Sequence, residues 1–231
     1  MLDDVSFDIP KGRVQFVIGM SGTGKSVLMK HLVGLLKPDS GDVWLDGENI
    51  TRLTEREFYR VRKKCGMVFQ HSTLFDSMTI LENIAMPIRK HFALDSKAAN
   101  ARAMEALELV HLGKEAKRLP PELGAGVRKR AAIARALALK PDYLIYDEPT
   151  TALDPIAARR IDGLIREMSD KTGVTSLVVS HDVRSIFAIS DSVAFLYRSK
   201  LQFLGTPAEL KATTDPIVKQ FINGLSQGPI T

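Results

Sequence analysis

Apolar positions along this chain follow two alternating rhythms: short unbroken runs, and longer stretches in which apolar residues return every three or four positions. The first predicts strands buried on both faces, the second amphipathic helices. Val14 to Ile18 is the first clear run. After it, Val27, Leu28, His31, Leu32, Leu35 and Leu36 have helical spacing, and the turn signal Lys37-Pro38-Asp39-Ser40-Gly41 ends that helix. Before it, Leu2 to Ile9 alternates in part, as an edge strand does, and Pro10-Lys11-Gly12 turns the chain. Asp42 to Leu45 predicts a strand and Asp46-Gly47 a hairpin turn. Gly66 to Gln70 predicts another strand ending in a polar side chain. From about Ser72 to Lys140 the helical rhythm takes over, most clearly from Ser96 to Leu112. Strand runs return at Tyr143–Tyr146, Ser176–Val179 and Val193–Leu196, and a helix from Pro155 to Thr172 separates the first two in a βαβ pattern. The pattern is that of an α/β core, residues 1–71 and 141–231, interrupted by a helical subdomain over 72–140. Gly224 to Pro229 reads as a flexible tail.

Chemistry enters at the joint between the first core strand and its helix. Gly19-Met20-Ser21-Gly22-Thr23-Gly24-Lys25-Ser26 matches G-x-x-x-x-G-K-[ST] in the strand–loop–helix context that makes the match credible. Glycines let backbone N–H groups close around phosphate oxygens, and the N-terminus of the helix, at Val27, adds partial positive charge. Lys25 can reach the β- and γ-phosphates, and the Ser26 hydroxyl can ligate Mg²⁺. The second signal is Asp147-Glu148 at the end of the Tyr143 run. An acidic residue at a core strand end beside a phosphate loop can hold that Mg²⁺, which we assign to Asp147; Glu148 is then placed to accept a proton from, or orient, the attacking water. An Asp-Glu pair alone would read as a solvated loop.

Composition changes this picture little. A chain of 231 residues suits one large α/β domain or a core with a subdomain, and a charge of +5 is mild. The basic stretch Arg52, Arg56, Arg60, Arg62, Lys63, Lys64 could face nucleic acid or lipid, but Glu55 and Glu57 interleave and favour a solvated helix face. One cysteine, Cys65, excludes an internal disulfide framework and fits a reducing compartment. No run approaches the ~18 apolar residues of a membrane span, and no signal-peptide pattern opens the chain, so any work at a membrane is expected to go through partners.

In family order, the chain carries the phosphate loop, Gln70, a helix-start region from Leu123, Asp147-Glu148, Ala152-Leu153-Asp154 and His181. This set resembles the ATPase subunits of ABC transporters over nearly the whole chain. The resemblance implies a P-loop, RecA-like ATPase core with an inserted all-helical subdomain, using ATP and Mg²⁺. It implies that Gln70 senses Mg²⁺ and the attacking water, that His181 contacts the γ-phosphate, and that Asp154 lies in a loop crossing a dimer interface. It further implies that Leu123, Gly124, Ala125 and Gly126 bind the γ-phosphate of a second subunit's ATP.

Two departures stand out. The family signature reads Leu-Ser-Gly-Gly-Gln, and here Leu123-Gly124-Ala125-Gly126-Val127 stands in its place. Gly124 has no hydroxyl, so one hydrogen bond to a charged group is lost, about 1.5–3 kcal/mol at most. Backbone amides and the nearby Arg128, Lys129, Arg130 and Arg135 remain, so hydrolysis is expected to be weakened but present; the alternative is a site that binds ATP and turns over poorly. The family also places a strand and an adenine-stacking aromatic upstream of the segment resembling Leu2 to Phe7, and this chain begins past that point. Either the chain is truncated or its start is misassigned, or adenine is held differently, with nucleotide affinity expected to fall by about 1–3 kcal/mol.

A finer resemblance, to the MlaF-like ATPases of Mla/Mce-type phospholipid transporters, rests on Leu74 to Ile88 and on the tail Gln220 to Pro229. It implies phospholipid cargo and a homodimer of ATPase subunits at the cytoplasmic face of the inner membrane. The implied partners are an integral-membrane permease, an MCE-domain protein and a STAS-type subunit, with no nucleic acid. The rival readings are the ATPase of a polar-solute importer, a soluble ABC protein of DNA repair or translation, and a weakly active regulatory module.

Overall fold

The computed structural model describes residues 2–230. A single mixed sheet organises the molecule. In chain order its strands are β1 (Val14–Gly19), β4 (Cys65–Val68), β5 (Tyr143–Asp147), β6 (Thr175–Val179), β7 (Ser192–Tyr197) and β8 (Lys200–Gly205), while β2 (Trp44–Leu45) and β3 (Glu48–Asn49) form a separate hairpin. The sheet order is β4-β5-β6-β1-β7-β8, parallel throughout except for β7 with β8. The inner strands β1 and β6 are buried along their whole length, as unbroken apolar runs require. Asp46 and Gly47 both take positive φ, 52° and 78°, in the turn of the hairpin.

The helices are α1 (Lys25–Leu32), α2 (Glu55–Lys63), α3 (Ile80–Phe92), α4 (Ser96–Leu109), α5 (Ala125–Leu137), α6 (Pro155–Thr172), α7 (Val183–Ile189), α8 (Pro207–Ala212) and α9 (Pro216–Asn223). Helices α3, α4 and α5 pack on one another, and α5 also touches β4 and α6, so the helical stretch is tied to the sheet through α5. The expected ends of α6 match the observed ones.

Three expectations need correction. The helix after the phosphate loop stops at Leu32 rather than Leu36. Gly34 at φ +67° closes a Schellman cap, with Leu35 N–H donating to Lys30 O (2.8 Å) and Gly34 N–H to His31 O (3.2 Å). A Cβ on Gly34 would sit 2.5 Å from the Phe58 ring, so only glycine permits α2 to approach there. Leu35 and Leu36 are consequently exposed. Residues 2–9 form no strand: the apolar Leu2, Val5, Phe7 and Ile9 do pack against the core, but the backbone is pinned to the sheet by Asp3 N–H donating to Ser199 O (2.8 Å), and Asp4 takes φ 51°. The expected flexible tail is held by one side chain: Gln220 donates to Leu225 O and Ile230 O (3.2 Å each) and accepts from Ile230 N–H (2.7 Å).

Candidate functional site

Sheet order sets the site. β4, β5, β6 and β1 are neighbours and parallel, so the segments leaving their C-terminal ends emerge along one edge, where ligands of open α/β sheets bind. Those segments carry Gln70, Asp147-Glu148, His181 and the loop from Gly19. Register holds them level: Val179 pairs with both Val17 and Asp147, and Glu148 N–H donates to Val179 O at 2.9 Å.

Gly19, Met20, Ser21, Gly22, Thr23 and Gly24 wrap the N-terminus of α1. A Cβ on Gly19 would lie 2.4 Å from Leu196 O, and Gly22 and Gly24 take φ +81° and +103°, so the loop's path depends on glycine. Thr23 is buried, its hydroxyl donating to Met20 O at 2.9 Å. Lys25 folds back over the loop, and its ammonium donates to Gly19 O and Met20 O, both at 2.8 Å. Two of its three N–H groups are thereby used and one remains for an anion. Burial lowers the Lys25 pKa, and Glu148 and Asp147 oppose that shift. Ser26 is exposed and Val27 half-buried in the first turn of α1. The glycine cradle, the helix N-terminus and Lys25 fit a polyphosphate.

At the end of β5, burial raises the Asp147 pKa, and the neighbouring Glu148 charge adds to the shift. Glu148 holds φ 49°, left-handed for a residue with a Cβ, a geometry that clusters at functional sites. Its carboxylate Oε2 lies 2.8 Å from His181 Nδ1 and accepts from Thr151 Oγ1 at 3.1 Å. Glu148 is thus aimed by two partners, His181, which the resemblance named only as a γ-phosphate contact, and Thr151, which sequence reasoning did not name. Asp182, next to His181, caps α7 and takes Arg159 Nη2 at 2.5 Å, so the His181 loop is anchored to α6.

Gln70 is exposed and lines a cavity of about 290 Å³ together with Ala125, Lys129 and Thr151. A second cavity of about 200 Å³ is lined by Gly124, Ala125, Gly126 and Asp154; none of residues 19–26 lines it. Asp154 caps α6, accepting from Ile156 N–H and Ala157 N–H at 3.0 and 2.9 Å. Leu123 is a core residue, 5% exposed, so its side chain faces apolar neighbours and its carbonyl accepts from Arg128 at 2.6 Å. Gly124 occupies the N-cap position of α5 with φ −66° and ψ 158°, and a Cβ there would touch nothing within 4 Å. The structure therefore brings the phosphate loop, Gln70, Asp147, Glu148 and His181 to one sheet edge, while Gly124, Gly126 and Asp154 line the second opening and Ala125 borders both cavities.

The residue that sequence reasoning undervalued is Lys129, noted only as part of a basic region. It is 4% exposed, and its ammonium reaches the carbonyls of Phe69, Gln70 and Glu148. A signal was present: Lys129 shares the buried face of α5 with Ala132, Ile133 and Ala136, an i, i+3, i+4, i+7 stripe interrupted by one charge.

Comparison with known proteins gives a consistent answer. The family model described as "ABC transporter" matches residues 2–151. The chain is 39% identical over 230 residues to the intermembrane phospholipid transport system ATP-binding protein MlaF of Escherichia coli, covering 100% of this chain and 86% of that protein. It is also 39% identical over 228 residues to a probable ribonucleotide transport ATP-binding protein, mkl, of Mycobacterium leprae, covering 99% of this chain and 66% of that one. Among solved structures, cbiO1 from Clostridium perfringens, part of the ABC transporter complex cbiONQ, superposes with TM-score 0.86 at 28% identity, covering 95% of this chain and 87% of that chain. A dimeric post-hydrolysis ATP-binding cassette bound to ADP and Pi superposes with TM-score 0.80 at 30% identity, covering 89% and 90%.

Proposed function

The chain belongs to the ABC transporter family and is an ABC-type ATPase; on that premise we propose that it powers phospholipid transport through a separate membrane permease. The observation that carries the cargo is identity of 39% across the full chain to a phospholipid transport ATP-binding protein of which it covers 86%. The membrane step is assigned to partners, since among the described residues no helix is long and apolar enough to cross a membrane. We place two copies of the chain on the cytoplasmic side of a permease, with an MCE-domain protein and a STAS-type subunit as further partners.

In this reading the phosphate loop and Lys25 bind the β- and γ-phosphates. Glu148, oriented by His181 and Thr151, takes a proton from the attacking water as the bond between the γ-phosphorus and the ADP oxygen breaks. His181 also contacts the γ-phosphate, and Gln70 positions the water. Ser26, Asp147 and Gln70 would hold Mg²⁺, whose contribution when bound is to neutralise charge on the phosphate oxygens. One carboxylate with neutral oxygen donors suits a hard ion carried in with a triphosphate; among the described residues there is no cluster of three His, Cys, Asp or Glu that would make an all-protein cage. Residues 72–140 act as the helical unit that presents the 123–126 segment to the other copy's nucleotide.

A second reading, a transporter of nucleotides or other polar solutes, is favoured by the equal identity to the mkl protein. Extraction of the tagged chain from host membranes in detergent, with mass spectrometry of what co-purifies, separates the two. A permease with an MCE-domain protein and bound phospholipid is the expected result. A polar-solute permease would keep the ATPase and overturn the cargo, and recovery only with ribosomes or DNA would remove the transporter assignment.

A further inference from the structure

We infer that Lys129 is a positioning residue for ATP hydrolysis, a single buried ammonium that holds the Gln70 loop and the Glu148 turn in register with helix α5. It rests on the assignment of Glu148 as base and is independent of the cargo.

Lys129 Nζ donates to Phe69 O at 3.3 Å, to Gln70 O, and to Glu148 O at 3.5 Å. An ammonium has three N–H groups, and three carbonyls take them, so the group is satisfied although only 4% exposed. Those carbonyls come from two loops that leave neighbouring parallel strands, β4 and β5. Each loop carries a residue assigned to the reacting centre, and the Glu148 backbone sits at φ 49°, which its surroundings must enforce. Six residues further along α5, Arg135 repeats the device on the same loop: it donates to Thr73 O and Thr73 Oγ1 at 2.8 Å each and to Ser72 O at 3.4 Å. The segment from Phe69 to Thr73 is therefore stapled to α5 by two cations, and only Lys129 reaches across to Glu148.

Burying a lysine for packing alone is unfavourable, since an apolar side chain of similar volume would avoid the desolvation cost. What the ammonium adds is a fixed relation between three segments: α5, whose N-terminus carries Gly124, the Gln70 loop, and the base. A shift of α5 must move the Gln70 and Glu148 carbonyls with it.

The test is a series at this position, Lys129→Arg, Lys129→Gln and Lys129→Met, with kcat, equilibrium ATP binding and melting temperature measured on each. Lys129→Met should lower kcat at least tenfold while the ATP Kd stays within about twofold. Lys129→Gln, with two donors, should fall between, and Lys129→Arg should recover most of the rate. In a Glu148→Gln background, Lys129→Met should cost nothing further. Folded Gln or Met variants that turn over at the wild-type rate would overturn the proposal, as would parallel losses of kcat, ATP binding and melting temperature that Arg fails to rescue. Should Glu148→Gln itself keep wild-type turnover, the base assignment fails, and the single-variant kcat split still decides the role of Lys129.

Discussion

The phosphate-loop edge of the sheet and the N-terminus of α5 are both suited to phosphate, by different means. At the sheet edge the amides of the glycine loop are joined by side chains: Lys25 over its loop, Asp147, and Glu148 braced by His181 and Thr151. Strand ends fix them, and no backbone group can replace them. At α5 the chemistry lies in the backbone. Gly124 caps the helix with no side-chain hydrogen bond, and Ala125 and Gly126 offer amides and partial positive charge. A site made of side chains is brittle to substitution, whereas one made of amides tolerates it. If residues 124–126 bind phosphate through their amides, the departure from the family pattern there costs less than a change among the side chains of the sheet edge.

The largest expected effect breaks the side-chain half. Glu148→Gln should lower ATP turnover by about 10²- to 10⁴-fold, the range of a positioned general base, with ATP binding retained. Steady-state hydrolysis beside equilibrium binding checks it, and residual activity above a tenth of wild type would remove Glu148 from the role.

An intermediate effect sharpens the backbone half. Gly124→Ser fits without rearrangement, because the backbone is in the extended region and a Cβ meets nothing within 4 Å. If the missing hydroxyl limits hydrolysis, turnover should rise tenfold or more, corresponding to about 1.5–3 kcal/mol. A serine at this N-cap could instead turn inward and cap α5, which would raise the melting temperature and leave the rate unchanged. Paired rate and stability measurements tell the outcomes apart, and an unchanged rate would mean that the amides already suffice.

The smallest effect concerns the support behind His181. Asp162 is 2% exposed and bonded to Ser185 Oγ (3.0 Å) and Arg159 (2.7 Å), and burial pushes its pKa up to about 6. Arg159 opposes the shift and Asp182 adds to it. The folded protein therefore binds a proton here at a higher pH than the unfolded chain does. The ionised Asp162 costs stability above pH 6, and that cost is relieved as pH falls from about 6 toward 4. Its full size is about 3 kcal/mol at most. Chemical denaturation across that window should find the wild type gaining stability relative to Asp162→Asn as pH falls; parallel curves would contradict the assignment.

How much of this the sequence disclosed follows from how local each cause is. The runs at β5, β6 and β7 and the helix α6 were legible to within a residue or so, because buried parallel strands and a capped, Pro-started helix write their signals in consecutive residues. β8 escaped notice because Lys200 to Gly205 is a partly exposed antiparallel edge with mixed polarity. The partial alternation of residues 2–9 suggested an edge strand, but no ladder forms there, and Asp4 takes φ 51°. The phosphate loop and Asp147-Glu148 were legible as motifs, and His181 entered only through the family resemblance. Lys129 among three carbonyls was not legible, since it depends on backbone atoms that only the folded chain brings near, and Thr151 behind Glu148 and Gln220 holding the tail were not either, because each depends on the exact turn its own short segment takes.

The central claim is that one chain holds the side-chain half of a hydrolytic site and needs a second copy for the backbone half. Light scattering of the Glu148→Gln variant during size exclusion, without and with saturating ATP and Mg²⁺, tests it most directly. The account predicts a monomer that becomes a dimer when ATP is present and returns to monomer with ADP. A variant that binds ATP stoichiometrically and remains a monomer at all concentrations would contradict it.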